Sequence, residues 1–396
     1  MADFLFSKTP TPENDFHGHQ PLKFNMADLL DREMIDFDKG NINAFIKGRK
    51  IMITGAAGSI GKELMRQIIA FKPKQLLLID SNESGIYELD ALLREISPDE
   101  TDVQTMPANV TDNHRMMHIF KKYRPQVIFH AAANKHVPIM EKHPYEAIRN
   151  NIFGTKLLAD LSVMYKAEKF IFVSTDKAVN PSGVMGASKR VCEMYLQSLN
   201  DKPVAKTRFV TIRFGNVLGT QGSVLPLFVK QINDRASLTL THPEMTRYFI
   251  TVQEACLLVL EAGTVGQAGE VFVFDMGEPV VIKNMAEKLI GLAGLTTGID
   301  IKLTYTGLRP GEKLLEERLR NDEAHRVTRH AKITIAFLRP VCSHTISSLL
   351  QLLEQAMETG DDDKMVAVLK EVVPEYISNN SPFEKLDSMK KENIRV

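Results

Sequence analysis

Ser174-Thr175-Asp176-Lys177 places two hydroxyls, a carboxylic acid and an amine on four consecutive residues, and Met185-Gly-Ala-Ser-Lys189 follows closely. An acid beside an amine can move protons at adjacent carbon and oxygen atoms. Asp176 would act as the acid if enclosure raised its pKa, and Lys177 as the base if desolvation lowered its own. Thr175 can hydrogen-bond a reacting alcohol, and Lys189 would add positive potential beside it. Met185 cannot join them, because a thioether carries no proton. Taken singly these residues are ordinary: Ser-Thr-Asp after a strand suits a capped turn, and a helical lysine is most often solvated. Their conjunction carries the chemistry.

A nucleotide loop lies upstream. Lys50-Ile-Met-Ile-Thr54 reads as a strand, and Gly55-Ala-Ala-Gly58-Ser59-Ile60-Gly61 follows it directly and opens an amphipathic helix. Glycines there allow a tight turn and bring backbone N–H groups to a pyrophosphate at the helix N-terminus. The second strand ends in Asp80, where a carboxylate can accept a ribose 2′-hydroxyl and would repel a 2′-phosphate. The expected cofactor is therefore NAD, with Lys189 at its nicotinamide ribose. Asp80 also has a plainer reading as a turn or helix-capping acid, since Ser81, Asn82 and Glu83 follow it.

These groups need a scaffold. Apolar strands at 51–54, 76–79, 127–130, 170–174 and 209–213 alternate with amphipathic stretches at 60–71, 112–123 and 147–165. That alternation predicts an α/β fold, a Rossmann-like doubly wound parallel sheet with a smaller C-terminal substrate-binding domain. Residues 1–47 form an N-terminal arm, polar over 1–25, and a short amphipathic segment. Residues 48–215 form the NAD-binding domain, with a returning strand near 270–276. Residues 216–340 form the substrate-binding domain, and 341–396 a tail with two helices broken at Gly360 and a polar end. Met140, Met164 and Met194 read as helix core.

Lysine plus arginine and aspartate plus glutamate balance at 49 each, which removes the global basic field of a nucleic-acid binder. The three cysteines, Cys192, Cys256 and Cys342, are scattered, which argues against a disulfide framework or zinc site and suits a reducing cytoplasm. No apolar run approaches the roughly 18–20 residues of a membrane span. The chain is expected to be soluble, with no metal and no nucleic-acid partner.

The glycine spacing resembles that of the extended short-chain dehydrogenase/reductase superfamily. His130-Ala131-Ala132-Ala133 ends the fourth strand beside the expected cofactor path, and Asn151-Ile-Phe-Gly-Thr155 is similar to the superfamily's N-x-x-G-T segment. Asn109-Val110 stands where such proteins often carry Asp-Val near the adenine. Met185 stands where they carry the tyrosine of Y-x-x-x-K. The segments STDKAVNPSGVMGASKR, AAANKHVPIMEKHP, RFGNVLGTQGSVLPLF, THPEMTRYFIT and GLRPGEKLLEE together resemble the CapD-type nucleotide-sugar 4,6-dehydratases of bacterial polysaccharide biosynthesis.

That resemblance implies UDP-N-acetylglucosamine as substrate and a lyase reaction of C4 oxidation, C5 deprotonation, C6 water loss and hydride return. Asp176 would protonate the C6 oxygen, Lys177 remove the C5 proton, and Thr175 and Lys189 support hydride transfer. A water held by Thr175 or Asp176 would take the C4 hydroxyl proton. The Met-bearing branch is associated with retention at C5. For the substrate, Lys135, His136, Asn216, Arg247, Arg309 and Glu312 are the candidates, with Arg213 and Lys313 as further members of an anion cradle; His136 has an equally good structural reading. The superfamily commonly pairs through the helix of the catalytic lysine and the one before it, which implies a dimer or larger homo-oligomer. Long members of this branch add a membrane-spanning N-terminal region, so the cytoplasmic face of the membrane is a second expected location. Two other readings stand beside the dehydratase: a UDP-sugar 4-epimerase, and a catalytically silent NAD-binding regulator motivated by Met185.

Overall fold

The computed structural model describes residues 29, 39–96, 100–200, 206–320, 323–328, 330, 332–339 and 341–387. The expected arm over 1–25 and the polar C-terminal end lie outside them, as does most of the amphipathic segment before residue 39. Strands β1 (Lys50–Thr54), β2 (Gln75–Asp80), β3 (Asp102–Pro107), β4 (Val127–His130), β5 (Lys169–Val173), β6 (Arg208–Arg213), β7 (Val271–Phe274), β8 (Ala324–Val327) and β9 (Ile333–Phe337) form one sheet. Its order is β8-β9-β7-β6-β5-β4-β1-β2-β3. Every pair from β3 to β7 is parallel, and β9 runs antiparallel to both its neighbours. The order reverses between β1 and β4, and ligands bind such sheets in the crevice at this switch point.

Strand alternation sends side chains to two cores. Ile51 and Ile53 pack on one face with helices α1 (Lys39–Ile46) and α2 (Ser59–Ile69), and Met52 packs on the other. Helices α3 (Glu83–Ile96) and α4 (Asn113–Tyr123) follow the next two strands, and Asp112 caps α4 by accepting from Arg115 N–H at 2.9 Å. After β4 come the short α5 (Val137–Lys142) and α6 (Pro144–Ala147), a π-helical turn over Ile148–Phe153, and α7 (Gly154–Met164). Helix α8 (Val184–Asn200) is buried along nearly its whole length.

The segment 216–340 divides between cores. A smaller core gathers α9 (Val224–Asn233), the strand pair Leu238–Leu240 and Leu303–Tyr305, and α11 (Ile282–Leu292), joined by Leu29. Between them, α10 (Val252–Val265) returns to α2 and the large sheet, started by a capping box in which Thr251 and Glu254 satisfy each other's backbone N–H groups. Strands β7, β8 and β9 also belong to the large sheet.

The tail forms α12 (Ser343–Glu358) and α13 (Asp362–Val372), with Gly360 at φ +65° between them. Ile346, Leu350, Leu353, Met365, Val366 and Leu369 share one core with Val191, Tyr195 and Leu199 of α8. The helix expected to pair two subunits is thus covered by its own chain. Met140 and Met194 are buried as expected, but Met164 is 60% exposed, because it ends α7 where the helix leaves its neighbours. Among the described residues no helix is long and apolar enough to cross a membrane.

Candidate active site

The glycine loop is shaped by close backbone approach. Gly55 has φ +71°, and a Cβ there would lie 2.6 Å from the Ala132 nitrogen, so the loop passes directly over Ala131-Ala132 at the end of β4. A Cβ on Gly61 would lie 2.2 Å from the Gly55 carbonyl oxygen, so only glycine lets the first turn of α2 sit on the loop. Gly58 opens α2 without a capping side chain, leaving its first-turn N–H groups for another acceptor. This shape fits a dinucleotide pyrophosphate.

Asp80 closes the loop from the second strand. Its Oδ2 accepts from Ala57 N–H at 3.0 Å and its Oδ1 from Asn82 N–H at 2.9 Å. The role of turn acid is therefore occupied, while Asn82 accepts from Gly85 N–H at the start of α3. A carboxylate bound once at each oxygen still has acceptor sites for a ribose hydroxyl. Asp80→Ala should weaken NAD roughly tenfold to a hundredfold, the worth of a charge-assisted hydrogen bond, in a calorimetric titration. Unchanged affinity would remove Asp80 from the ribose site. The Asn109 amide oxygen accepts from both Thr111 N–H and Thr111 Oγ1 at 2.9 Å, so this side chain holds its own turn. Val110 is buried against Gly154.

Beneath the loop, His130 is locked between Thr54 Oγ1 at 2.7 Å and Thr155 Oγ1 at 2.8 Å. Burial, aided by nearby Lys189, pushes its pKa down to about 3, so the imidazole is neutral and structural. Asn151 in the π-helical turn binds both backbone groups of Asn134 and the Ser188 hydroxyl, tying the loop after β4 to α8.

The expected Ser-Thr-Asp-Lys group divides. Ser174 donates to Glu193 at 2.7 Å and faces the core. Thr175, Asp176 and Lys177 turn into a 3-10 turn at the end of β5. A Cβ on Gly186 would lie 2.1 Å from the Lys177 carbonyl oxygen, so this glycine is what allows α8 to abut the turn. Asp176 is 1% exposed; its Oδ1 accepts from Thr175 Oγ1 and Lys177 Nζ, both at 2.9 Å, and its buried Oδ2 has no partner among the described residues.

Lys177 Nζ also donates to Asn216 Oδ1 at 2.8 Å and lies 3.6 Å from Glu316 Oε1. Burial pushes its pKa down, as expected, but Asp176 and Glu316 outweigh burial and the net shift is upward. The condition set for Lys177 as a base, a lowered pKa, is therefore not met in the resting site, where it is an ammonium. Lys189 is depressed: burial pushes it to about 8, and its Nζ sits 4.1 Å from the centre of the Phe172 ring. Met185 is buried in the core beside it.

The substrate candidates form two groups. Asn216 joins the acid–amine pair, and Arg247 reaches it through Glu316, 3.7 Å away, while its guanidinium donates to the carbonyls of Thr246 and Leu314. The second group surrounds the loop at 219–222. Lys135 Nζ reaches Thr220 Oγ1 at 3.5 Å, and the His136 ring lies against Gly222. Gln221 N–H donates to Ser59 Oγ at 3.4 Å, which links this group to the dinucleotide loop. Burial lowers the pKa of both Lys135 and His136, and Lys135 and Arg309 lower His136 further. Arg309 is 60% exposed at its side chain and held by Glu312.

Two expected cradle members are elsewhere. Arg213 is fully buried between Glu193 and Glu323, and Lys313 is bound to the Val179 carbonyl and Glu317. Glu316 was not among the expected site residues. It lies in GLRPGEKLLEE beside Glu317, and no spacing in the sequence separates the buried member of that pair from the exposed one.

Residues 51–337 match the family profile described as polysaccharide biosynthesis protein. The chain is 46% identical over 347 residues to the capsular polysaccharide biosynthesis protein CapD of Staphylococcus aureus, covering 87% of this chain and 57% of that protein. It thus spans little more than half of that relative's length. At lower identity the relatives' names divide. A UDP-N-acetylglucosamine 4,6-dehydratase (inverting) of Campylobacter jejuni is 30% identical, covering 70% of this chain and 79% of that one. A UDP-glucose 4-epimerase of Rickettsia bellii is 32% identical, covering 69% and 79%. The X-ray structure of Pen from Bacillus thuringiensis superposes with a TM-score of 0.67 at 30% identity, covering 74% of this chain and 87% of that one.

Proposed function

Because the chain belongs to the polysaccharide biosynthesis protein family, we propose that it is an NAD-dependent lyase that removes water across C5 and C6 of UDP-N-acetylglucosamine. The product is a UDP-4-keto-6-deoxy-N-acetylhexosamine. The observation that carries this reading is the Asp176–Lys177 pair at the end of β5, two strands from the dinucleotide loop, with Asp176 buried and one of its carboxylate oxygens without a partner among the described residues. Bound NAD would take the C4 hydride and return it to C6.

The chain's own residues do the rest. Thr175 fixes one oxygen of Asp176, leaving Oδ2 to hold the proton that the departing C6 oxygen receives. A buried carboxylate oxygen without a donor is costly, and a proton or a sugar hydroxyl relieves that cost. The ammonium proton of Lys177 passes to the Asp176 carboxylate beside it, so the neutral amine takes the C5 proton, while a water held by Thr175 or Asp176 takes the C4 hydroxyl proton. With Met185 unable to donate from another position, the same amine returns a proton to the face it came from, which retains configuration at C5. Lys189 supplies positive potential beside the alcohol. Lys135, His136 and Arg309 offer cationic and donor groups to the diphosphate. A reaction in the cytoplasm, where nucleotide sugars are made, is part of this reading.

Incubation with UDP-N-acetylglucosamine in deuterated water tests this reading. Mass and NMR analysis should show loss of one water and one solvent deuterium at C5. A 4-epimer of unchanged mass would establish the epimerase instead, a reading favoured by the Rickettsia relative but disfavoured by the Asp176–Lys177 pair, since 4-epimerisation needs no acid and base at C6 and C5. Tight NAD binding without turnover would establish the silent regulator.

A further inference from the structure

Lys177 is held from three sides. Its Nζ donates to Asp176 Oδ1 at 2.9 Å and Asn216 Oδ1 at 2.8 Å, and it faces Glu316 Oε1 in an ion pair at 3.6 Å. Asp176 and Asn216 belong to the turn after β5 and the short strand after β6. Glu316 comes from a different part of the chain, and it also faces Arg247 Nε at 3.7 Å. Its side chain is 3% exposed and its Oε2 has no partner among the described residues. A carboxylate so enclosed, with one oxygen unsatisfied, is not a solvated surface acid.

We propose that Glu316 is a positioning residue for Lys177: it fixes the amine opposite Asp176 and sets its charge, keeping it an ammonium in the resting site. The charged groups facing Lys177 are Asp176, Glu316 and Arg247, and the carboxylates raise its pKa while Arg247 and burial oppose them. Of the two carboxylates, Asp176 has its own task under the dehydratase reading, on which this inference builds. Glu316 is the one whose charge can be removed without removing that acid. Arg247 opposes Glu316, since its guanidinium, 3.7 Å from that carboxylate, offsets part of the carboxylate's pull on the amine.

The sign follows directly. A base acts only when neutral, so its activity rises as pH passes its pKa. Removing the Glu316 charge lowers that pKa and moves the rise to lower pH. Glu316→Gln should therefore fare better relative to the unsubstituted enzyme at the acid end of the profile than at the alkaline end, by about tenfold. Glu316→Asp should restore the original profile.

A direct titration decides the matter without turnover. With lysine isotopically labelled at the ε-carbon, and the Lys177 resonance assigned by its loss in Lys177→Arg, the Glu316→Gln protein should titrate at lower pH than the unsubstituted one. An unmoved titration overturns the proposal even if the enzyme is active. An inactive enzyme with the moved titration leaves Glu316's role standing and overturns only the dehydratase reading. Arg247→Met gives the opposite sign, moving the Lys177 titration upward, and serves where Glu316→Gln does not fold; no upward movement counts against the proposal.

Discussion

Lys177→Ala should lower dehydration turnover by about 10²–10⁴-fold, the usual worth of a positioned base, while NAD remains bound. The two effects separate because they rest on different elements. The dinucleotide loop is built from Gly55, Gly58, Gly61 and Asp80 on β1, α2 and β2, and none of these touches the Lys177 ammonium. Deleting the amine leaves Asp176 without its cation and Glu316 with Arg247 alone, so a lower melting temperature is expected alongside the lost activity. NAD titration shows that the remaining protein is folded. Near-normal turnover in a folded, NAD-bound variant would reassign the base. If C4 oxidation survives while water loss stops, transient absorbance of reduced cofactor should appear with substrate, which places the lesion after the first hydride step.

The parts of the fold that the sequence made legible are those where one physical signal dominates. β1, β2, β4, β5 and β6 are buried on both faces and read as short apolar runs, and their parallel pairing follows from the helices between them. β3, Asp102–Pro107, escaped because it is an edge strand whose polar residues carry no apolar run. β8 escaped for the same reason: Ala324–Val327 is exposed throughout and is recognisable only through its partner β9. The dual membership of 216–340 was hidden because α10 returns to the large sheet from within that segment, a long-range choice that no local pattern encodes.

At the site, residue identity was legible and electrostatic environment was not. Thr175, Asp176, Lys177 and Asn216 do meet, and glycine spacing located the loop. Desolvation of Lys177 was foreseeable from its place in the sheet crevice. Its reversal was not, because it depends on Glu316, 139 positions away and brought beside Lys177 only by the fold. Ser174 and Arg213 were drawn toward the site by sequence proximity, yet strand alternation turns both into the core.

Arg213→Met should destabilise the protein by about 3–5 kcal/mol, because it leaves two buried carboxylates without their shared cation. Arg213 is 1% exposed; it makes paired hydrogen bonds to Glu193 at 2.8 and 2.7 Å and to Glu323 at 2.8 and 3.1 Å. Arg190, also buried, bridges Glu193 to Glu375. Burial pushes the Glu193 carboxyl up, but Arg213 and then Arg190 outweigh it and hold it below the usual range. Its contribution to stability is thus present above the unfolded carboxylate pKa of about 4.3 and is lost as pH falls through the lower folded value. The deficit of Arg213→Met, measured by urea denaturation, should narrow on acidification, since the variant has already lost what acid removes. Adding Glu193→Gln should recover part of the loss. The same experiment separates scaffold from substrate contact. An anion-cradle arginine would raise KM for the nucleotide sugar with stability intact, whereas this one should lower stability first. Catalysis would suffer only through the Ser174–Glu193 bond that seats the turn before Asp176.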